Sequence, residues 1–225
     1  MSIADNARKI LAELPASVTL VAAAKGRSVR EIEEAVSAGV EVIGENYVQE
    51  AAFHRAVLGG SVRWHCIGHL QRNKARQAVD VFEMVQTLDS VRLAEALSGV
   101  CVRRGMSLPV LVEINSGREP HKSGIFPEDA EDFLRAVCGL PGLTIEGLMT
   151  MGPLTDDAEG ARPYFALTAD LFRRFSRLSL PGLQMKHLSM GMSGSWKVAV
   201  EEGATMVRIG TALFGPRQSP GKEDE

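Results

Sequence analysis

The sequence predicts a single (β/α)8 barrel with one extra helix ahead of the first strand. Three observations lead there. Short apolar runs rich in β-branched residues alternate with longer amphipathic runs from one end of the chain to the other. Eight such strand–helix pairs fit in roughly 200 residues, a compact but ordinary length for a barrel. No linker or composition break interrupts the 225 residues, of which 45% are hydrophobic, so residues 1–217 read as one domain. A doubly wound open sheet shares the same alternation and is the competing architecture.

In chain order, a helix over Ile3–Leu14 precedes a strand over Thr19–Lys25. Further strands are expected at Val40–Glu45, Arg63–His69, Met84–Leu88, Val110–Asn115, Thr144–Met149, Met185–Met190 and Met206–Gly210. Helices fall between them at Val29–Ala38, Tyr47–Leu58, Asn73–Val79, Val91–Arg104, Pro127–Cys138, Ala158–Leu178 and Ser195–Glu202. Gly39, Gly105 and Gly203 stand where helices end in a left-handed residue. Phe126–Asp129 and Ser193-Gly-Ser195 read as helix starts. Residues 218–225, Gln-Ser-Pro-Gly-Lys-Glu-Asp-Glu, read as a disordered, solvated tail.

Composition narrows the function classes. A net charge of −3 with mixed signs and few aromatics argues against a nucleic-acid partner. No run approaches the roughly 18 apolar residues of a membrane span, and Met1–Arg8 lacks the layout of a secretory signal. Cys66, Cys101 and Cys138 are far apart and odd in number, which predicts neither disulfides nor a zinc site. A cytoplasmic protein, monomeric or weakly dimeric, is the expectation. His65 and His69 share parity on one strand, but no third ligand lies at metal spacing, so no metal is expected.

A barrel builds its active site at the C-terminal ends of its strands. Those positions hold Lys25, Glu45-Asn46, His69, Asp89, Asn115-Ser116, Met149–Met151, Ser189–Ser193 and Arg208–Thr211, far more polar than the strand interiors. Lys25 closes an apolar run. An amine at such a place loses hydration and becomes competent to form an imine with a carbonyl compound. The Gly- and Ser-rich turns Ser189–Ser195 and Arg208–Thr211, with Met192, Ser193, Gly210 and Thr211, offer freed backbone N–H groups and hydroxyls. Together they make an anion site where barrels often hold phosphate, after strands seven and eight. A lysine and a phosphate cup call for a phosphorylated aldehyde: pyridoxal 5′-phosphate, or a phosphosugar in an aldolase. An inward Arg208, which cannot accept a proton, would face the pyridine nitrogen of the former and disfavour transaminase chemistry.

The segments Val21–Lys25, Gly44–Glu50, Trp64–Lys74, Lys122–Gly124, Gly147–Met149, Leu188–Ser193 and Met206–Gly215 resemble those of the YggS/PROSC family of pyridoxal phosphate homeostasis proteins. The resemblance implies a fold-type III barrel like the N-terminal domain of alanine racemase, with a Schiff base on Lys25. It implies phosphate contacts from Ser193, Gly210 and Thr211, Arg208 beside the pyridine nitrogen, and Asn46 and His69 lining the pocket. The sequence departs from the family where Ser-Lys-Thr and a following proline become Ala24-Lys25-Gly26 and Ser28. It departs again where an acidic residue gives way to Gly194-Ser195-Trp196.

Fold-type III racemases use a second, β-rich domain that often supplies an opposing base, and this chain ends soon after strand eight. The expected role is therefore to hold the aldehyde reversibly and release it to apo-enzymes, with no catalytic residue assigned. A single-domain amino-acid racemase of low activity, with His69 as second base, is the enzyme alternative. A barrel with a decayed site is the third reading.

Overall fold

Each apolar run pairs in parallel with its sequence neighbour, and the last returns to the first, so the computed structural model is a closed barrel in the order β1 to β8. It describes residues 2–153 and 157–216; the tail expected over 218–225 lies outside the described residues. The strands are β1 (Thr19–Ala23), β2 (Val42–Glu45), β3 (Arg63–Cys66), β4 (Met84–Leu88), β5 (Leu108–Glu113), β6 (Leu143–Met149), β7 (Leu183–Ser189) and β8 (Met206–Ile209). Closure rests on the pairs Thr19↔Met206, Leu20↔Val207, Val21↔Arg208 and Ala22↔Ile209. These pairs exclude the open sheet.

Helices α1 (Ile3–Glu13), α2 (Val29–Ser37), α3 (Val48–Leu58), α4 (Ala75–Val81), α5 (Val91–Arg104), α6 (Ala130–Val137), α7 (Arg162–Phe175), α8 (Trp196–Glu201) and α9 (Thr211–Phe214) cover the outside. The expected elements are all present, with shifted ends. Strand β1 stops at Ala23, so Lys25 does not close a strand. It lies in a turn, Arg27 N donating to Ala24 O at 2.9 Å, with Gly26 at φ 68°. Likewise β3 stops at Cys66 and His69 stands three residues beyond it, in a loop. Helix α6 starts at Ala130, after a turn in which Asp129 N donates to Phe126 O. The short α9 was not expected, since one turn carries no readable period.

Strand side chains alternate between the barrel interior and the helices. Val21, Val42, Ile67, Met84, Leu111, Met149 and Met206 form the inner apolar cluster. The outer layer, including Leu20, Ile43, Trp64, Val85, Val110, Ile145 and Val207, packs against the helices. Burial of these two layers supplies the main drive to fold. Among the methionines, Met149 and Met190 are fully buried, whereas Met151 is exposed at the rim.

Strand β6 is kinked where its register shifts against both neighbours, between Ile145 and Gly147 on the β7 side. Gly147 makes the kink possible: its φ is 149°, and a Cβ there would stand 1.8 Å from the carbonyl oxygen of His187. Gly147→Ala is expected to destabilise the barrel by about 3 kcal/mol or more. Urea unfolding should show a lower midpoint at an unchanged m-value.

Candidate functional site

The loops at the C-terminal ends of the strands bring the sequence-predicted residues to one mouth. Because β1 and β8 pair directly, the Lys25 turn and the Gly210 turn are neighbours; a Cβ on Gly210 would come within 3.3 Å of Ala23 O. Lys25 is half-buried, its Nζ 5.2 Å from the centroid of the Tyr47 ring. Two residues on, buried Arg27 donates to Phe214 O and Pro216 O, each at 3.4 Å, to Gly215 O, and to Glu31 Oε1 at 3.0 Å. The lysine turn is thereby tied to the C-terminal end of α9. Gly26 N donates to Glu50 Oε2 at 3.3 Å, and Ser28 caps α2 in a box with Glu31.

The N-terminal end of α9 faces the turn after β7. Ser193 Oγ accepts from Gly210 N at 3.3 Å and Ala212 N at 3.1 Å, while Thr211 is exposed and Met192 half-buried beside them. Ser195 Oγ accepts from Met192 N at 3.2 Å and shapes the same turn. Amide and hydroxyl donors so gathered suit an anion that would replace Ser193 as their acceptor.

Beneath the mouth runs a buried polar chain that the sequence reading recovered only in part. Arg208, 4% exposed, points inward and donates from Nη2 to Thr150 O and from Nη1 to Ser189 Oγ, both at 2.7 Å. Ser189 Oγ donates to Gln86 Oε1 at 2.6 Å, and Gln86 Nε2 meets His65 Nδ1 at 2.9 Å. Every link points the same way, which fixes His65 as the neutral tautomer that accepts at Nδ1. Burial pushes His65 down to about 3 and Arg208 down to about 10. Gln86 and His65 were missed as partners. Their shared inward parity with Ser189 and Arg208 emerges only from the register of the sheet.

Across the mouth, His69 Nδ1 lies 3.0 Å from Asp89 Oδ2 and 3.1 Å from Ser123 Oγ. His65 lies within the barrel and His69 on its rim. Asn46 packs over Gly68, where a Cβ would stand 2.6 Å from Asn46 O. Asn46, Tyr47, Gly68, His69 and Lys74 line a cleft of about 460 Å³ between the loops after β2 and β3. Lys122 is paired with Glu119 at 2.6 Å.

Comparison with known proteins identifies the family and the fold. The sequence model of the family described as the N-terminal domain of alanine racemase matches residues 1–218. The pyridoxal phosphate homeostasis protein of Aquifex aeolicus is 37% identical over 203 residues, covering 88% of this chain and 87% of its own. That of Pseudomonas aeruginosa is 36% identical over 230 residues, 96% of each. The structure of PipY from Synechococcus elongatus without PLP superposes with a TM-score of 0.89 at 37% identity, covering 95% of this chain and all of PipY. PipY with PLP bound gives a TM-score of 0.85 at the same identity and coverage. A Clostridium difficile alanine racemase, 16% identical with a TM-score of 0.73, matches 97% of this chain and 60% of its own length, and shares the fold.

Glu45, at the end of β2, does not point into the barrel. It is fully buried on the outer face, its Oε1 2.9 Å from His54 Nδ1 on α3, and its Oε2 has no partner. Burial, then repulsion from Glu50, pushes its carboxyl up to about 8, and burial holds His54 below the usual histidine value. Both groups are therefore favoured in their neutral forms. The folded state keeps a proton on Glu45 that the unfolded chain gives up near 4.5, so this contribution to stability is full below that pH and is lost as pH rises through about 8. Over the same range Glu113, pushed up to about 7 by burial, also loses its proton and adds to the fall, while His54, His65 and His187, held low by burial, oppose it. The net fall in stability is expected to be about 1 kcal/mol between pH 6.5 and 8, and Glu45→Gln should remove most of it. Denaturant titrations at several pH values measure both.

Proposed function

The chain belongs to the alanine racemase N-terminal domain family, among its pyridoxal phosphate homeostasis proteins, and on that premise we propose that it binds pyridoxal 5′-phosphate at the mouth of the barrel, holds the aldehyde reversibly on Lys25, and delivers it to apo-enzymes in the cytoplasm. The observation that carries this reading is the adjacency of one half-buried lysine and one anion cup on the directly paired strands β1 and β8. When bound, the cofactor supplies an aldehyde carbon that a primary amine attacks with loss of water.

The residues present fit such a group. Gly210 N and Ala212 N, with the hydroxyls of Ser193 and Thr211, would take the phosphate in place of the contacts that Ser193 now receives. The close approach of Gly210 to Ala23 O keeps the cup beside the lysine turn. Arg208, held by Ser189 and Thr150, would present a guanidinium that donates but cannot accept a proton. Asn46 and His69 would form the wall of the pocket, and Met192 its apolar side. The Tyr47 ring holds the Lys25 ammonium at the mouth, and the amine would attack once it has lost its proton.

The contact of His69 with Asp89 favours one second reading, a weak racemase with His69 as its second base. Incubating the loaded protein with L-alanine in deuterium oxide separates the two. A carrier leaves the α-proton in place, and a racemase exchanges it.

Two variants test the carrier site directly. With pyridoxal phosphate added, the wild-type protein should develop the visible absorption of a lysine-bound aldehyde, and Lys25→Ala should not. Ser193→Ala should weaken pyridoxal phosphate about tenfold while leaving pyridoxal, which lacks the phosphate, unchanged. A band that persists without Lys25, or equal losses for both ligands, would overturn the assignment.

A further inference from the structure

A second cavity opens beside the first, between the loops after β5 and β6, and encloses about 180 Å³. Its floor is Glu113, at the end of β5, which is 4% exposed. No described residue donates a hydrogen bond to this carboxyl group, and its Oε2 is buried without a partner. The side chain is held in place by backbone: a Cβ on Gly124 would stand 3.2 Å from Glu113 Cγ. The other polar groups of the cavity are engaged elsewhere. Asn115 bonds Glu119 and Lys122 backbone, Ser116 Oγ meets Thr150 Oγ1 at 2.8 Å, and Lys122 is paired with Glu119. Arg208 is occupied by Ser189 and Thr150, and His69 by Asp89 and Ser123. Met151 adds apolar wall.

A buried carboxyl without a donor is costly, and a cation matched to the space would remove that cost. We propose that this cavity is a binding site for a small primary ammonium ion, with Glu113 as its counter-charge and Met151, exposed at the rim, beside its alkyl part. The site does not rest on the cofactor reading: of the residues assigned to the cofactor, only His69 also lines it.

The charged and titratable groups around Glu113 set the proton balance. Burial pushes its carboxyl up to about 7, Asp89 adds to the rise and Arg208 opposes it; Cys66 of β3, itself pushed up to about 12 by burial, and His69, Glu119 and Lys122 complete the surroundings. A bound cation would draw the group into its charged form, releasing about half a proton at pH 7. Affinity should therefore rise with pH through neutrality.

Isothermal titration calorimetry of the full chain without cofactor tests this, with n-propylammonium chloride as probe and 1-propanol as its neutral counterpart. Two buffers of different ionisation enthalpy are used, neither of them a primary amine. The expected result is saturable binding of the ammonium ion but not of the alcohol, with proton release revealed by the buffer dependence. Glu113→Gln should bind at least about tenfold more weakly, without proton release. No binding to the wild type, equal binding of propanol, or an unchanged affinity in Glu113→Gln would each overturn the proposal. Should Glu113→Gln fail to fold, the buffer dependence of the wild type decides alone.

Discussion

Closure of β8 onto β1 is the constraint on which the rest of the molecule depends. It joins residues nearly two hundred positions apart, and the lysine turn and the anion cup meet only because of it. Strand parity makes the register unforgiving, since a one-residue slip would turn Arg208 from the barrel interior toward the helices and bring an apolar neighbour inward. Two further contacts stiffen the seam. Arg27 spans from the lysine turn to the carbonyls that end α9, and Asn6 Nδ2 on α1 donates to Leu213 O at 3.0 Å. The N-terminal helix, which lies outside the strand–helix repeat, thus closes the barrel over its last turn rather than extending it.

Inside the barrel, apolar packing gives way toward the mouth to the chain that runs from Arg208 through Ser189 and Gln86 to His65. A guanidinium buried to this degree needs acceptors at every step, and truncating Ser189 or Gln86 would strand a donor in the interior. Such a network adds little net stability compared with well-packed apolar residues. Its effect is electrostatic: a fixed positive charge lies below a mouth already lined by amide donors. An anion is therefore favoured at the β7–β8 side, while the unpartnered Glu113 makes the β5–β6 side attractive to cations. One barrel end presents two pockets of opposite preference.

Much of this was readable from sequence, and the remainder was hidden for identifiable reasons. The β-branched runs and the glycines after helices placed all eight strands and the eight longer helices. Parallel strands buried on both faces read as continuous apolar runs, so their number was plain but their inward parity was not. Glu45 and Glu113 illustrate the difficulty, both being carboxylates that end such runs; one faces α3 and the other the barrel mouth. Gln86 and His65 sat within the same runs and became legible only once register was known. Lys25 was read as a strand end, yet the turn at Ala24–Arg27 takes it beyond the sheet, which alters what holds it in place.

That turn carries the first departure from the usual family pattern, and the structure indicates what replaces it. A proline would restrict the backbone ahead of α2 by its ring. Here Ser28 caps the helix through a box with Glu31, and Gly26 adopts φ 68° with no atom within 4 Å of where a Cβ would stand. Glycine leaves the unfolded turn freer, so its order must come from outside contacts. They come from Glu50 on the Gly26 amide and from Arg27 on the carbonyls beyond α9. Ser195, near the second departure, likewise restrains its turn through the Met192 amide. At the lysine turn the restraint a proline ring would give is replaced by hydrogen bonds that reach across the seam. The stiffness of the Lys25 turn and the position of α9 therefore depend on the same buried guanidinium, so whatever loosens one end of α9 also loosens the turn that carries Lys25.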